Sequence, residues 1–299
     1  MNVLVTSDGS TYSLMAIRTA SRLLRAEDRN VDVLCVVPPY RRRDESLRRK
    51  RYEQRILSET TRILEEARAA IAPEAAAVKL VTEMGSPAAV IAARSENYDV
   101  TVVGARGVGY RMEGGLGPVA SRVAEHALGP VLIGRALQNE EGVRILAAVD
   151  GSAASRRAVE TLSTLCDLGS AEVCLMYVAE TPWLNLADEG DYATASEEEA
   201  EKSEAGQWEK EFVREGEGVI EEARDLLREA RVTVNRRIEE GNPANEILTE
   251  ADRGLYDLVV LGATGNRDVK HRMLGSVSSR VAWEAACSVL IVREPGETG

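Results

Sequence analysis

The stretch VVLGATGNRDVKHRMLGSVSSRV, residues 259–281, joins an apolar strand to a glycine loop and to the start of a helix. The strand ends at Gly262, Gly265 follows three residues later, and Gly275 stands before a serine. Residues 102–123, VVGARGVGYRMEGGLGPVASRV, repeat this spacing of glycines. A glycine at a strand exit lets the backbone approach a ligand, because no Cβ stands in the way. The chain therefore holds two copies of one candidate loop.

The repetition extends over the whole chain. The segment VTSDGS near the N-terminus resembles AAVDGS in the middle, and it places Asp8 and Asp150 at equivalent positions 142 residues apart. The glycine loops lie 158 residues apart, so the second half holds a 16-residue insertion between these two anchors. Self-similarity of this kind is typical of a duplicated unit. We therefore predict two domains, residues 1–138 and 142–295.

Each half alternates short apolar runs with longer helical patterns, which indicates an α/β fold with a doubly wound, five-stranded parallel sheet in each half. The runs are rich in Val, Leu and Ile without polar alternation, as expected of strands buried on both faces. The predicted strands are 2–6, 31–37, 77–83, 100–104, 130–134, 144–149, 171–178, 232–238, 257–262 and 288–293. Helix starts are predicted at Ser86-Pro87 and Asn242-Pro243, which pair an N-cap residue with a proline in the first turn.

Composition excludes several classes of function. The net charge of −12 argues against a general nucleic-acid binder. No apolar run approaches the length of a membrane span, and the N-terminus does not read as a signal peptide, so we expect a cytoplasmic protein without a membrane partner. The four cysteines stand in apolar segments without a CxxC motif. They are expected to be reduced, buried thiols, and no metal site is predicted.

Ligands of an open parallel sheet bind beyond the carboxyl ends of the strands, where the strand order reverses. In each half, the Asp-Gly-Ser after the first strand and the glycine loop after the fourth strand both lie at this edge. The helix that follows Gly275 offers free N–H groups and a positive dipole end, which favour a phosphate. Asp150 suits a ribose hydroxyl or the edge of adenine. The sequence therefore predicts a nucleotide site, although it lacks both the GxxxxGK[ST] loop and the dinucleotide fingerprint.

These paired motifs resemble the universal stress protein family, and the resemblance covers nearly the whole chain. The second half shows VDGS at 149–152 and the pattern G-x2-G-x9-G-S from Gly262, and the first half shows altered versions of both. The resemblance to a tandem member of the ATP-binding branch implies two sheets of strand order 3-2-1-4-5 in an adenine nucleotide alpha hydrolase-like fold. It also implies ATP as the ligand, alone or with Mg²⁺, with adenine beside the first-strand Asp and the phosphates on the glycine loop.

The resemblance carries a set of binding residues onto each half. In the first half these are Thr6, Asp8, Val37, Val103, Gly104, Arg106, Gly107, Gly117, Val119 and Ala120. In the second half they are Ala148, Asp150, Val178, Leu261, Gly262, Thr264, Gly265, Gly275, Ser276, Val277 and Ser278.

Pro118 departs from the family pattern, which has Ser or Thr at this position. Proline has neither an N–H nor a hydroxyl, so two potential phosphate donors are lost, although proline is well tolerated in the first turn of a helix. Arg106 or Arg111 could compensate. We predict that the first site binds ATP more weakly than the second.

The implied function is that of an ATP-dependent regulatory or sensor module in stress response. A slow ATPase that uses the same crevice and a nucleotide-free interaction scaffold are the alternatives. No catalytic residue is assigned: the only acidic residue between 262 and 278 is Asp268, and no Ser-His-Asp arrangement is visible.

Two surfaces suggest partners. The fifth strands, PVLIGR and SVLIVRE, are apolar edges of the kind that pair with another strand. They could join the two halves of one chain, and we expect a homodimer of tandem chains through such edges. The arginine-rich segment 41–55 and the acidic segment 188–217 occupy equivalent places in the repeat and offer a second, electrostatic pairing.

Overall fold

The computed structural model describes residues 1–26, 29–39, 46–71, 77–110, 114–139, 141–180, 204–230, 232–265 and 274–293. The strands are β1 (Asn2–Thr6), β2 (Asn30–Val37), β3 (Ala77–Met84), β4 (Val100–Gly104), β5 (Val131–Gly134), β6 (Val143–Ala148), β7 (Ala171–Ala179), β8 (Thr233–Glu240), β9 (Leu258–Gly262) and β10 (Ser288–Val292). The helices are α1 (Thr11–Leu23), α2 (Ser46–Ala69), α3 (Pro87–Arg94), α4 (Pro118–His126), α5 (Ala153–Leu165), α6 (Glu204–Asp225), α7 (Pro243–Arg253) and α8 (Ser276–Glu284). Within this described part, no helix is both long and apolar enough to cross a membrane.

All ten strands form one sheet in the order β3-β2-β1-β4-β5-β10-β9-β6-β7-β8. Each half is a parallel sheet of order 3-2-1-4-5, which confirms the predicted fold. The two sheets are not separate, because β5 and β10 pair antiparallel with Leu132 opposite Leu290. These two leucines occupy the same position in the repeat, so an approximate twofold axis passes between them.

The pairing of β5 with β10 corrects the predicted mode of dimerisation. A β-strand has two edges, and β5 and β10 each use one edge for the neighbouring parallel strand and the other for each other. These strands therefore have no edge left for a second chain. They join the two halves of one chain, as predicted, and do not join two chains. The outer edges of the sheet are β3 and β8. A homodimer remains a prediction and requires a surface other than the fifth strands.

Two buried arginines fasten the halves together. Arg135, directly after β5, donates from Nη1 to the carbonyl of Cys287 at 3.0 Å and from Nη2 to that of Ala282 at 2.6 Å. Arg293, directly after β10, donates from Nη2 to the carbonyls of Ala124 and Glu125, both at 2.7 Å. Burial lowers the pKa of Arg135 to about 10, so the guanidinium stays charged at neutral pH. Each arginine thus places a cation at the C-terminal end of a helix of the other half, where the dipole favours it.

N-cap residues set where the helices begin after the carboxyl ends of the strands. Ser10 caps α1 by accepting from the N–H of Ser13 at 3.1 Å, and Ser152 caps α5 in the same way. Asn242 caps α7 through its side chain, as predicted. Ser86 occupies the N-cap position of α3 without a side-chain hydrogen bond, and the proline after it starts the helix.

The four cysteines are free and buried, which agrees with the prediction from sequence. Burial raises the pKa of Cys35 and of Cys287 to about 11, and that of Cys166 to about 12. Since the thiolate is the reactive form, we expect Ellman's reagent at pH 8 to label no thiol of the folded protein within minutes. The same reagent should titrate all four after unfolding in guanidinium chloride. Rapid labelling of the folded chain would contradict the buried assignment.

Candidate functional site

A cavity opens beyond the carboxyl ends of the central strands in each half. The first cavity, of about 330 Å³, lies between the ends of β1 and β4 and the start of α4. The second cavity, of about 250 Å³, lies between the ends of β6 and β9 and the start of α8. Both are at the point where the strand order reverses, as expected of an open parallel sheet.

The predicted site residues come together at these cavities, with one exception. Every residue predicted for the second half lines the second cavity. Every residue predicted for the first half lines the first cavity except Val37. From that part of β2, Val36 lines the cavity in place of Val37. Side chains alternate between the two faces of a strand, so a shift of one residue moves the side chain to the opposite face. In the register of the sheets Leu34 corresponds to Met176, and Val36 therefore corresponds to Val178.

Further lining residues were not predicted from the sequence. In the first cavity they are Ser7, Ser13, Leu34, Val36, Pro87, Ile91, Val108, Gly109, Tyr110 and Pro118. In the second cavity they are Val149, Ser155, Met176, Tyr177, Glu180, Glu215, Pro243 and Ile247. A signal existed for the isoleucines, because Ile91 and Ile247 each stand four residues after the proline that starts a helix and so share its face. Glu215 comes from α6, and no local pattern places that helix over the cavity.

The aspartate after the first strand is held by its own turn. Asp8 accepts the N–H of Ser10 at 3.0 Å, and Asp150 accepts both the N–H (3.0 Å) and the hydroxyl (2.6 Å) of Ser152. Gly9, between Asp8 and Ser10, has φ of +78°, a backbone conformation that residues other than glycine rarely adopt. The carboxylates are therefore oriented toward the cavity by the turn itself.

The glycines of the loop serve the aspartate as well as a ligand. A Cβ on Gly107 would lie 2.6 Å from Oδ2 of Asp8, and one on Gly265 would lie 2.9 Å from Oδ2 of Asp150. In the first cavity Asp8 also accepts the N–H of Val108 at 2.8 Å. These glycines allow the carboxylate to lie directly against the loop.

Packing of a helix on the strand end also requires glycine at positions 104 and 262, which the sequence interpretation missed. A Cβ on Gly104 would lie 2.9 Å from the backbone of α1. One on Gly262 would lie 2.8 Å from the backbone and side chain of Ala154 in α5. Both glycines are needed for a helix to pack on the strand end, whether or not a ligand approaches.

The start of α8 is the candidate phosphate site of the second cavity. Gly275 is its N-cap and donates its N–H to the carbonyl of Ala263 at 2.8 Å, which ties the helix to the glycine loop. The first N–H groups of a helix have no partner within it, and the dipole adds positive charge there. Ser276 is exposed at this end. Ser278 is buried and donates its hydroxyl to the carbonyl of Ala263 at 2.7 Å, so it positions the loop.

Arg106 supplies charge at the equivalent end of the first cavity, where Pro118 starts α4. Its guanidinium lies 5.4 Å from the ring centre of Tyr12 and 5.7 Å from that of Tyr110. Its Nε donates to the carbonyl of Gly115 at 3.4 Å. An arginine that lies over two aromatic rings is held in place, so Arg106 is suited to the compensating role predicted for it. The other candidate, Arg111, lies outside the described residues.

Several other predicted features fall outside the described part of the chain. Asp268 belongs to these, as do residues 41–45 of the arginine-rich segment 41–55 and residues 188–203 of the acidic segment 188–217. The electrostatic pairing of the two segments stays a prediction. Among the residues that the structure describes, no cluster of three His, Cys, Asp or Glu side chains is arranged to hold a metal ion.

Comparison with known proteins agrees with this fold. The sequence profile of the universal stress protein family matches residues 1–135 and 143–293. A universal stress protein of Methanocaldococcus jannaschii is 30% identical over 172 residues, which make up 56% of this chain and 94% of that protein. One of Bacillus subtilis is 29% identical over 150 residues, which make up 50% of this chain and 98% of that protein.

A solved structure shares the whole architecture. The crystal structure of a universal stress protein from Archaeoglobus fulgidus matches 99% of this chain and 98% of its own with a TM-score of 0.64 and 19% sequence identity. The common fold is the adenine nucleotide alpha hydrolase-like fold. Since the family profile covers almost all of both halves, the chain belongs to the universal stress protein family.

Proposed function

We propose that this chain binds ATP in the second cavity and acts as a nucleotide-dependent regulatory module of the stress response in the cytoplasm. The observation that carries the proposal is the second cavity itself. It brings Asp150, the glycine loop and the open end of α8 to the reversal point of the sheet. We further propose that residues 1–138 and 142–295 form the two units, each with its own cavity.

The residues of the second cavity divide into a base end and a phosphate end. Val178, Leu261 and Ile247 offer apolar side chains against which adenine can lie. Asp150 is oriented by its turn to accept a hydrogen bond from a ribose hydroxyl or from the edge of adenine. Thr264, Gly265 and the first turn of α8 surround the place of the phosphates. ATP bound there places its negatively charged triphosphate at a helix end that favours anions.

The fit to ATP rests on the donors present at that end. The N–H groups of the first turn of α8 and the hydroxyl of Ser276 are donors. They match the acceptor oxygens of a phosphate. Asp150, Glu180 and Glu215 also line the cavity. Since carboxylates repel phosphate, Mg²⁺ carried with ATP would reduce the repulsion, and the titration below separates the two forms.

The proposal is tested by the nucleotide that the protein carries. The chain is purified without added nucleotide and denatured, and the released molecules are identified by chromatography and mass spectrometry. Calorimetric titration with ATP and with GTP follows, each with and without Mg²⁺. We expect adenine nucleotide in the released fraction and tighter binding of ATP than of GTP.

Three results would contradict the proposal or change it. A protein that carries no nucleotide and binds none would support the nucleotide-free scaffold. Equal binding of GTP would remove the assignment to adenine. Release of ADP from bound ATP at a rate above that of buffer would replace the sensor with the slow ATPase.

A further inference from the structure

One helix of the second half reaches from the second cavity to a segment beside the first cavity. Ser276 and Val277, at the start of α8, line the second cavity. Trp283, about two turns later on the same helix, lies against Gly115 of the first half. The helix therefore spans from the proposed phosphate position of the second cavity to Gly115, whose carbonyl accepts a hydrogen bond from Arg106 in the lining of the first cavity.

The contact between Trp283 and Gly115 is close and specific to glycine. A Cβ on Gly115 would lie 2.9 Å from Cε2 and 3.0 Å from Cζ2 of the indole ring. Gly115 also has φ of +72°, which disfavours any other residue. Trp283 is 45% exposed, so the ring covers this segment at the surface and does not belong to the core.

Gly115 leads directly to the charged group of the first cavity. Its carbonyl accepts a hydrogen bond from Nε of Arg106, whose guanidinium lies over the rings of Tyr12 and Tyr110. Trp283 thus buttresses the segment that holds the positive charge of the first cavity. The equivalent position of α4 is Glu125, so α4 does not repeat the aromatic contact.

A second connection runs through the buried end of α8. Arg135 donates to the carbonyl of Ala282 in the last turn of the helix. The residue before it, Gly134, accepts the N–H of Ala105, the neighbour of Arg106 in the first glycine loop. The C-terminal half of α8 is therefore attached to the first loop from two sides, by the indole ring and by the arginine.

We propose that α8 couples the two cavities, so that ATP in the second cavity raises the affinity of the first cavity for nucleotide. The inference rests on the proposed function. A phosphate bound at the helix start fixes the first turn of α8, and the fixed helix holds Trp283 on the segment that positions Arg106. By linkage, nucleotide in the first cavity raises the affinity of the second by the same factor.

The test measures both binding events in variants of Trp283. Calorimetric titration with ATP of the full chain gives a tighter event, assigned to the second cavity, and a weaker one, assigned to the first. Trp283→Ala is expected to weaken the weaker event, at the first cavity, by about fivefold, the lower end of typical couplings. The tighter event, at the second cavity, should keep its Kd. Trp283→Phe retains a ring and should lose less. Glu284→Ala, an exposed change on the same helix, is the matched control and should alter neither event.

A second arm separates coupling from damage to the first cavity alone. Ser276→Pro weakens ATP binding at the second cavity, so coupling predicts that Trp283→Ala then has no further effect on the first cavity. An equal fivefold loss in that background would show a purely local role and overturn the coupling. Unchanged affinities in Trp283→Ala would overturn it too, while two intact binding events would leave the proposed function standing. Absence of any ATP binding by the unaltered chain would overturn both.

Discussion

Ser276→Pro is expected to weaken ATP binding at the second cavity by about a hundredfold or more. The change removes the hydroxyl and the N–H at the first position of α8. Hydrogen bonds to a charged group contribute about 1.5–3 kcal/mol each, and each 1.4 kcal/mol is a factor of about ten in Kd. The helix should survive, because α4 begins with Pro118 at the equivalent position and keeps its start there. Calorimetry with ATP measures the loss, and circular dichroism checks the fold.

The repeat supplies the reciprocal variant. Pro118→Ser restores to the first cavity the groups that the second cavity has, so it should strengthen ATP binding there by a similar factor. The two changes together should exchange the order of the two affinities. Unaltered binding in Ser276→Pro, with the helical signal intact, would show that the start of α8 does not hold the phosphates.

The bounds of the strands could be predicted from the sequence almost residue by residue. The runs predict β1 and β4 with their observed ends, and the other strands to within two residues, although the edge strands β3 and β8 have no fully buried residue. The signal is strong because a parallel strand covered by helices has no polar side to interrupt it. The motif pairs likewise predict which residues gather at the cavities, since strand ends and helix starts meet at one edge of the sheet.

The errors arise where a contact depends on three-dimensional packing. The sequence does not indicate that Ser278 is buried and donates its hydroxyl to the carbonyl of Ala263. Val37 lies outside the lining of the first cavity, and only the register of the sheet shows that Val36 takes the position of Val178. In the sequence, Gly104 indicates close approach of a ligand to the backbone, whereas in the structure it also allows α1 to pack against the strand end. The contact of Trp283 with Gly115 joins residues far apart in sequence, and no periodic pattern indicates it.

Asp257→Ala is expected to lower the free energy of unfolding by about 4 kcal/mol. Asp257 is fully buried, and its carboxylate accepts the N–H groups of Gln138 (2.7 Å), Asn139 (3.0 Å) and Arg144 (2.9 Å) and the side-chain amide of Asn139 (2.9 Å). These donors belong to the connection between the halves and to the start of β6. A buried donor left without its acceptor costs about 1–3 kcal/mol, and the substitution removes the acceptor of all four hydrogen bonds at once. Urea denaturation followed by circular dichroism measures the change.

The first half contains the matched control. Asp99 occupies the equivalent position, is exposed, and accepts the N–H of Asn2 at 2.7 Å, just as Asp257 accepts that of Arg144. Asp99→Ala should therefore cost about 1 kcal/mol. The difference between the two variants measures what the connecting segment gains from the buried carboxylate. Equal losses would mean that the bonds to Gln138 and Asn139 add nothing to stability, and that the other contacts between the halves, among them the β5–β10 pairing and the two buried arginines, hold the halves together.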